Sequence, residues 1–251
     1  MDIQNFSALF NTPARREAFL KLIKDNKTKH IFIQGLEGSS IALFFSNLLE
    51  HKQAHIIIAN DLDEAGYLYN DLVQINGNDH ILLFPSGYKR DIKYGQPDPP
   101  SEILRTEVLN RLCQKGESLL IVTYPEAIAE KVVPVNMLSE QTLHIDKNSK
   151  CDIITLSDKL RERGFEEVDY VYEPGQFAVR GSILDVFSYT NELPYRIDFF
   201  GKEVESIRTF EVETQLSTRK LEEVYIVANI CGQEASGISI LDFIDKNTIL
   251  I

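Results

Sequence analysis

The sequence predicts an α/β protein in which a parallel-sheet domain is interrupted by a smaller, inserted α+β domain. Three observations lead there. Short, unbroken apolar runs alternate with amphipathic helical stretches through the first half of the chain, and such strands suit a parallel sheet covered on both faces. Tyr172–Phe210 then reads as consecutive antiparallel strands, with Pro174-Gly175, Arg180-Gly181, Asn191–Pro194 and Gly201-Lys202 as the turns. Two late apolar runs, Val224–Ala228 and Thr248–Ile251, read as strands returning to the parallel layer.

Taken in order, residues 1–28 read as helical. Phe6, Leu9 and Phe10 group on one side, and Thr12-Pro13 serves as N-cap and first helical residue. His30–Gln34 reads as a strand, Ile41–Glu50 as a helix burying Leu43, Phe44, Leu48 and Leu49, and His55–Ala59 as a second strand. Asp61 caps a helix that runs through Val73. His80–Phe84 is a third strand, Tyr88–Pro100 a loop rich in proline, glycine and charge, Ser101–Gln114 a helix, and Ser118–Thr123 a fourth strand. A connecting helix and loop over Tyr124–Leu138 precede a strand at Gln141–Ile145 and an amphipathic helix at Thr155–Arg163 that stops at Gly164. A short helix at Ile240–Ile244 separates the last two strands. The predicted domains are therefore 1–125 (α/β), 126–211 (α+β) and 212–251 (return to the α/β layer). The sequence stops inside an apolar run, so a piece of a longer protein is expected.

The formal net charge of −12 argues against sequence-independent DNA binding, because a clamp of that kind gains most of its affinity by neutralising phosphates. Cys113, Cys151 and Cys231 are far apart and the histidines do not group with them, which predicts neither disulfide framework nor zinc site, and no cofactor. A reducing cytoplasm is the expected compartment. The N-terminus lacks the apolar core and small-residue cleavage site of a signal peptide. No apolar run approaches the ~20 residues of a membrane span.

Gly35-Leu36-Glu37-Gly38-Ser39-Ser40-Ile41-Ala42 lies between an expected strand and a helix, the layout of a phosphate loop. That chemistry needs a lysine for the β and γ phosphates and a hydroxyl for magnesium. Ile41 stands at the lysine position and Ala42 at the hydroxyl position, while Glu37 adds a negative charge. The predicted fold is thus phosphate-loop-like but degenerate, with Gly35, Gly38, Ser39, Ile41 and Ala42 marking the decayed loop. An unrelated strand–turn–helix with small residues for close packing reads the same way. The YKRDIKYG run within Tyr88–Pro100 mixes basic and aromatic residues, as a nucleic-acid contact or a solvated surface loop would.

Along Tyr195-Arg196-Ile197-Asp198-Phe199-Phe200, period two puts Tyr195, Ile197 and Phe199 on one face and Arg196, Asp198 and Phe200 on the other. With the first face buried, the second offers an arginine, a carboxylate and an aromatic ring, the composition of a docking surface. The plainer alternative tucks Phe200 under a loop and pairs Arg196 with Asp198 or Glu203.

The run EPGQFAVRGSILDVFSYTNELPYRIDFFGKEVESIRTFEVETQ, together with GLEGSS, LLFPSGYKRDIKYGQPDPP and LIVTYPEAIAEKV, resembles the N-terminal UvrB-like module of the bacterial transcription-repair coupling factor (Mfd) family. The resemblance covers nearly the whole chain. Two departures separate it from UvrB itself: Ile41 and Ala42 in the loop, and only the short Tyr88–Pro100 loop where UvrB carries a long aromatic hairpin. The resemblance implies a non-catalytic module that recruits UvrA in transcription-coupled nucleotide excision repair. Its UvrA contacts carry over onto Arg180 in FAVRG, Arg196 in PYRIDFF and Phe200, the second phenylalanine of DFF. It further implies that RNA polymerase and double-stranded DNA are engaged by other domains, that the docking face is masked in the intact protein, and that this module is monomeric. The competing implication is a UvrB-like, ATP-dependent damage-recognition protein.

Overall fold

The structure, a computed structural model, describes residues 12–25, 28–88, 98–113, 116–147, 150–191, 193–228 and 237–251. Phe6, Leu9, Phe10, Cys231 and most of the Tyr88–Pro100 loop lie outside the described residues.

The elements begin with α1 (Pro13–Lys24), α2 (Ser40–Phe45) and a 3-10 turn (Ser46–Glu50), followed by β1 (Ala54–Ile58), α3 (Leu62–Asn76) and β2 (Ile81–Leu83). Then come α4 (Pro99–Cys113), β3 (Leu119–Thr123), α5 (Pro125–Ala129), β4 (Lys131–Val132), α6 (Val135–Gln141), β5 (Thr142–Asp146) and α7 (Ile153–Glu162). The strands β6 (Glu166–Glu167), β7 (Gln176–Arg180), β8 (Ile183–Val186), β9 (Tyr195–Phe200), β10 (Glu203–Phe210), β11 (Ser217–Leu221) and β12 (Glu223–Val227) follow. The chain closes with β13 (Ile238–Ser239), α8 (Ile240–Phe243) and β14 (Ile249–Leu250). These elements form two compact units: Met1–Gln96, Arg111–Glu130 and Ser239–Ile251 in one, Pro97–Asn110 and Lys131–Ile238 in the other. No helix among the described residues is long and apolar enough to cross a membrane.

The first unit holds a parallel sheet of order β14-β1-β3-β2. All five residues of β3 are buried, as expected of an inner parallel strand covered on both faces. Asp61 caps α3 by accepting the Glu64 N–H at 2.9 Å, while the Glu64 carboxylate accepts the Asn60 N–H at 2.9 Å, so two otherwise orphaned donors are satisfied reciprocally. Thr248–Ile251 joins the parallel sheet as the sequence predicts. His30–Gln34 does not: residues 28–37 form no strand, and Phe32 is 88% exposed. Both hydrogen-bonding edges of β1 are already occupied, by β14 and β3.

In the second unit six strands run in the order β11-β10-β9-β8-β7-β6, antiparallel except for the β6–β7 pair. Gly181 and Gly201, both at φ +64, make the β7–β8 and β9–β10 turns, a backbone region that glycine enters without Cβ strain. Helix α7 begins two residues earlier than the sequence suggests, because the Asp152 carboxylate caps it through the Ile154 N–H. Its Leu156 and Leu160 enter a core with Phe177, Leu184, Val186, Tyr195, Ile197, Phe199, Val204 and Ile207. Val224–Ala228 departs from expectation. It pairs antiparallel with β5 (Val224 opposite Ile145) and contributes Val224, Ile226 and Ala228 to this same core. An alternating apolar strand buries one face of an antiparallel pair as readily as it enters a parallel layer.

One buried histidine makes the first unit sensitive to acid. His55 on β1 is fully buried, and its Nε2 lies 3.3 Å from Nδ1 of half-buried His51. Burial first, and His51 second, depress the His55 pKa from 6.5 to about 4. Below pH 6.5 the unfolded chain therefore takes up a proton that the folded chain refuses. Stability falls as the pH drops from 6.5 towards 4, by up to about 3 kcal/mol. Urea titrations across that range are expected to show a shallower loss for His55→Gln than for wild type, and parallel curves would remove His55 as the cause.

Candidate partner-docking site

Strand β9 divides the six-stranded sheet as its alternation predicts. Tyr195, Ile197 and Phe199 are buried in the α7-covered core, leaving Arg196, Asp198 and Phe200 for the opposite face. Register completes that face. Asp185 on β8 and Arg208 on β10 stand beside Arg196, and Ser206 stands beside Asp198. Arg180 lies two residues beyond Ala178, the β7 neighbour of Asp185, so its side chain approaches Asp185 along the diagonal of the antiparallel pair. A small apolar cluster of Val171, Ala178, Phe187 and Phe210 supports the same face.

Asp185 is the centre of the arrangement. Its carboxylate is 1% exposed, and Oδ1 accepts the Arg196 Nε–H at 2.7 Å. Oδ2 accepts an Arg196 Nη2–H at 2.9 Å and an Nη2–H of Arg180. The Arg196 contact is the bidentate fork that fits guanidinium to carboxylate. These hydrogen bonds hold the Arg196 pKa above its ordinary value against the opposing effect of burial. Arg196 also donates to the backbone oxygen of Gln215 at 2.9 Å and to its Oε1 at 3.3 Å, and lies 4.3 Å from the centre of the Phe210 ring. Arg180 rests 4.9 Å from the centre of the Tyr170 ring. Cation–π contacts of this kind fix a guanidinium plane as well as attracting it.

The second carboxylate of the face, Asp198, accepts from Ser206 Oγ at 2.6 Å and from Arg208. Phe200, at the end of the strand, is 79% exposed. Four residues of strand separate it from Arg196, a span of about 13 Å. The site residues expected from the sequence thus share one face, but Arg196 is only 13% exposed and its partner is Asp185, not Asp198 or Glu203. Phe200 is open to solvent.

The Gly35–Ala42 segment lies in the first unit. Gly35 and Gly38 have φ of +90 and +53. The Ser40 and Ile41 N–H groups donate to Glu37 O and Gly38 O at 3.2 Å each, and the Glu37 N–H donates to Ser40 Oγ at 2.7 Å. Ser39 precedes α2 without a side-chain cap bond, Ile41 is half-buried, and Ala42 is fully buried. These bonds close a local turn at the start of α2.

Sequence reasoning missed Asp185 and Gln215. Asp185 carried a signal: it is a lone acid between Leu184 and Val186 in an apolar strand, and a carboxylate buried there needs a cationic partner. Gln215 carried none. It holds φ +60, the one positive value at a non-glycine position among the described residues.

Gly175 sets the start of β7 and therefore the reach of Arg180. It has φ +88, and a Cβ there would overlap the Tyr189 hydroxyl and ring. Its N–H and oxygen are committed to Phe187 O and the Glu166 N–H, each at 2.8 Å. Gly175→Ala is expected to destabilise the second unit by about 2 kcal/mol through left-handed strain together with the displacement of Tyr189. The midpoint of urea unfolding measures this, and an unshifted midpoint would contradict it.

The face described above falls within a recognised family segment: the UvrB interaction domain matches residues 143–230. Curated relatives extend the likeness. The transcription-repair-coupling factor of Bacillus subtilis (strain 168) is 31% identical over 199 residues, 79% of this chain and 17% of that protein. That of Escherichia coli (strain K12) is 31% identical over 192 residues, 75% of this chain and 16% of that protein. The Rickettsia typhi protein of the same name is 29% identical over 216 residues, 85% of this chain and 17% of that protein. The chain thus spans 16–17% of the length of these relatives. With strands β6 to β12 lying inside the matched segment, residues 143–230 are similar to the UvrB interaction domain, and the chain resembles the N-terminal UvrB-like module of the bacterial transcription-repair-coupling factors.

Proposed function

We propose that this chain is a non-catalytic recruitment module of transcription-coupled nucleotide excision repair in the cytoplasm. It docks UvrA on the open face of the six-stranded sheet, through Arg180, Arg196 and Phe200. The observation that carries this reading is the exposed ring of Phe200 beside a fixed arginine cluster. An aromatic side chain left 79% in solvent adds little to folding, whereas aromatic rings and arginines are the residue types that dominate binding energy at interfaces. The match of residues 143–230 to the UvrB interaction domain supports the choice of partner. The name shared by the relatives, transcription-repair-coupling factor, supports the choice of process. In a longer protein of this kind, RNA polymerase, double-stranded DNA and the ATP-driven motor belong to domains outside this chain.

The lack of catalysis rests on the phosphate loop. Ile41 and Ala42 replace the lysine and hydroxyl, and the nearby amides bond within their own turn. Calorimetry with magnesium and ATP is expected to give no saturable heat. A saturable isotherm would restore the UvrB-like ATPase reading. For docking, Phe200→Ala is expected to weaken UvrA binding by about 2 kcal/mol, roughly thirty-fold, without moving the urea midpoint. Unchanged UvrA affinity in that variant would sink the proposed site.

A further inference from the structure

The two arginines share one carboxylate yet differ in what they leave free. A guanidinium has five N–H donors. Arg196 directs four of them inward: Nε and one Nη2–H to Asp185, the second Nη2–H to Gln215 Oε1, and one Nη1–H to Gln215 O. One of its faces is covered by Phe210. Among the described residues Arg180 directs one N–H to Asp185 and keeps four, with its side chain 35% exposed against 13% for Arg196. Its backing ring, Tyr170, is itself 50% exposed, so Arg180 sits at the open rim of the cluster.

Charge points the same way. Within the Asp185 cluster, one buried carboxylate between two guanidiniums leaves a single positive charge in excess, while Glu167 and Asp169 line the groove beside Arg180. Arg196 is bonded to both oxygens of Asp185, so that excess is presented at Arg180. Gln215 completes the fixture. Its Nε2 donates to Val212 O at 2.8 Å and its N–H to Glu211 O at 2.8 Å, while the Glu211 N–H donates to Leu216 O at 3.0 Å. The 211–216 loop is thereby closed on itself with Gln215 in the left-handed region. Such a conformation persists only where its surroundings over-determine it.

Building on the UvrA reading above, we propose a division of labour on this face. Arg180 is the cation that meets a carboxylate of the partner. Asp185, Arg196 and Gln215 are positioning residues that hold Arg180 and the rim in place, and Arg196 makes at most one hydrogen bond outward. Lysine separates the two roles, because it keeps a point charge but cannot reproduce a planar fork.

The test measures UvrA affinity and the urea midpoint for wild type, Arg180→Met, Arg180→Lys, Arg196→Met and Arg196→Lys. Arg180→Met is expected to lose about tenfold or more in UvrA affinity with a smaller midpoint loss than Arg196→Met, because Arg196 still bonds both Asp185 oxygens, and Arg180→Lys to regain most of the affinity. Arg196→Lys is expected to behave like Arg196→Met, with affinity and midpoint falling together. Asp185→Asn, which keeps the shape and one acceptor, is expected to lower affinity while both arginines remain. The division of labour is overturned if wild type binds UvrA and Arg180→Met binds equally well. It is overturned equally if Arg196→Met loses binding at an unshifted midpoint, or if Arg196→Lys is fully rescued. A wild-type chain that fails to bind UvrA at all would instead remove the docking reading on which the division rests.

Discussion

The outer face of the six-stranded sheet depends on one buried carboxylate. Placing Asp185 at 1% exposure between Leu184 and Val186 carries a desolvation cost of several kcal/mol unless the charge is matched and its oxygens are bonded. Both requirements are met by strands on either side. Arg196 comes from β9, directly opposite in register, and Arg180 comes from β7 along the diagonal. The order β7-β8-β9 is therefore an electrostatic necessity as well as a hydrogen-bonded ladder. A one-residue slip would turn Asp185 into the apolar core and its arginines away from it.

From that centre the rest of the face follows. Arg196, once forked to Asp185, lies over Phe210 and reaches the 211–216 loop through Gln215. Phe210 belongs to the small apolar cluster with Val171, Ala178 and Phe187, which gives the polar network a packed floor. The neighbouring carboxylate, Asp198, is satisfied separately by Ser206 and Arg208. The result is a set of side chains held in place before any partner arrives. Ordering a long, rotamer-rich side chain at an interface costs about 0.5–1.5 kcal/mol each, so an arginine already fixed by its neighbours binds at a smaller entropic loss.

Much of this was legible in the sequence, and the failures have physical causes. Alternation assigned the two faces of β9 correctly, because period two fixes side-chain direction whatever the neighbours are. Apolar runs found β1, β2, β3 and β14, most plainly β3, whose residues are all buried. His30–Gln34 has strand-forming residues, but local preference cannot supply a pairing partner, and none of the four strands of the sheet takes it. Val224–Ala228 was assigned to the wrong partner for the same reason: pairing is a tertiary choice between edges. Of the proposed docking residues, Arg196 and Phe200 were visible by alternation and by resemblance, and Arg180 by resemblance alone. The hub that joins the arginines was visible only as an acid out of place in an apolar strand.

The charge of the whole chain sharpens what such a face can do. The chain carries a net −12, yet on the proposed docking face Arg180, Arg196, Arg208 and Lys220 stand with Asp185, Asp198 and Glu203. Beyond a Debye length of about 8 Å at physiological salt, individual exposed charges are largely screened, so this local excess cannot draw a partner from afar against an acidic background. Its influence begins at contact, where a guanidinium with free N–H donors forms charge-assisted bonds to a carboxylate and an aromatic ring leaves water. On the proposed reading, the cation that meets an acid, Arg180, and the exposed ring of Phe200 lie on one face of the sheet, two strands apart. Under that proposal Arg180 and Phe200 are the two points of contact, and Asp185 is the reason the first does not move.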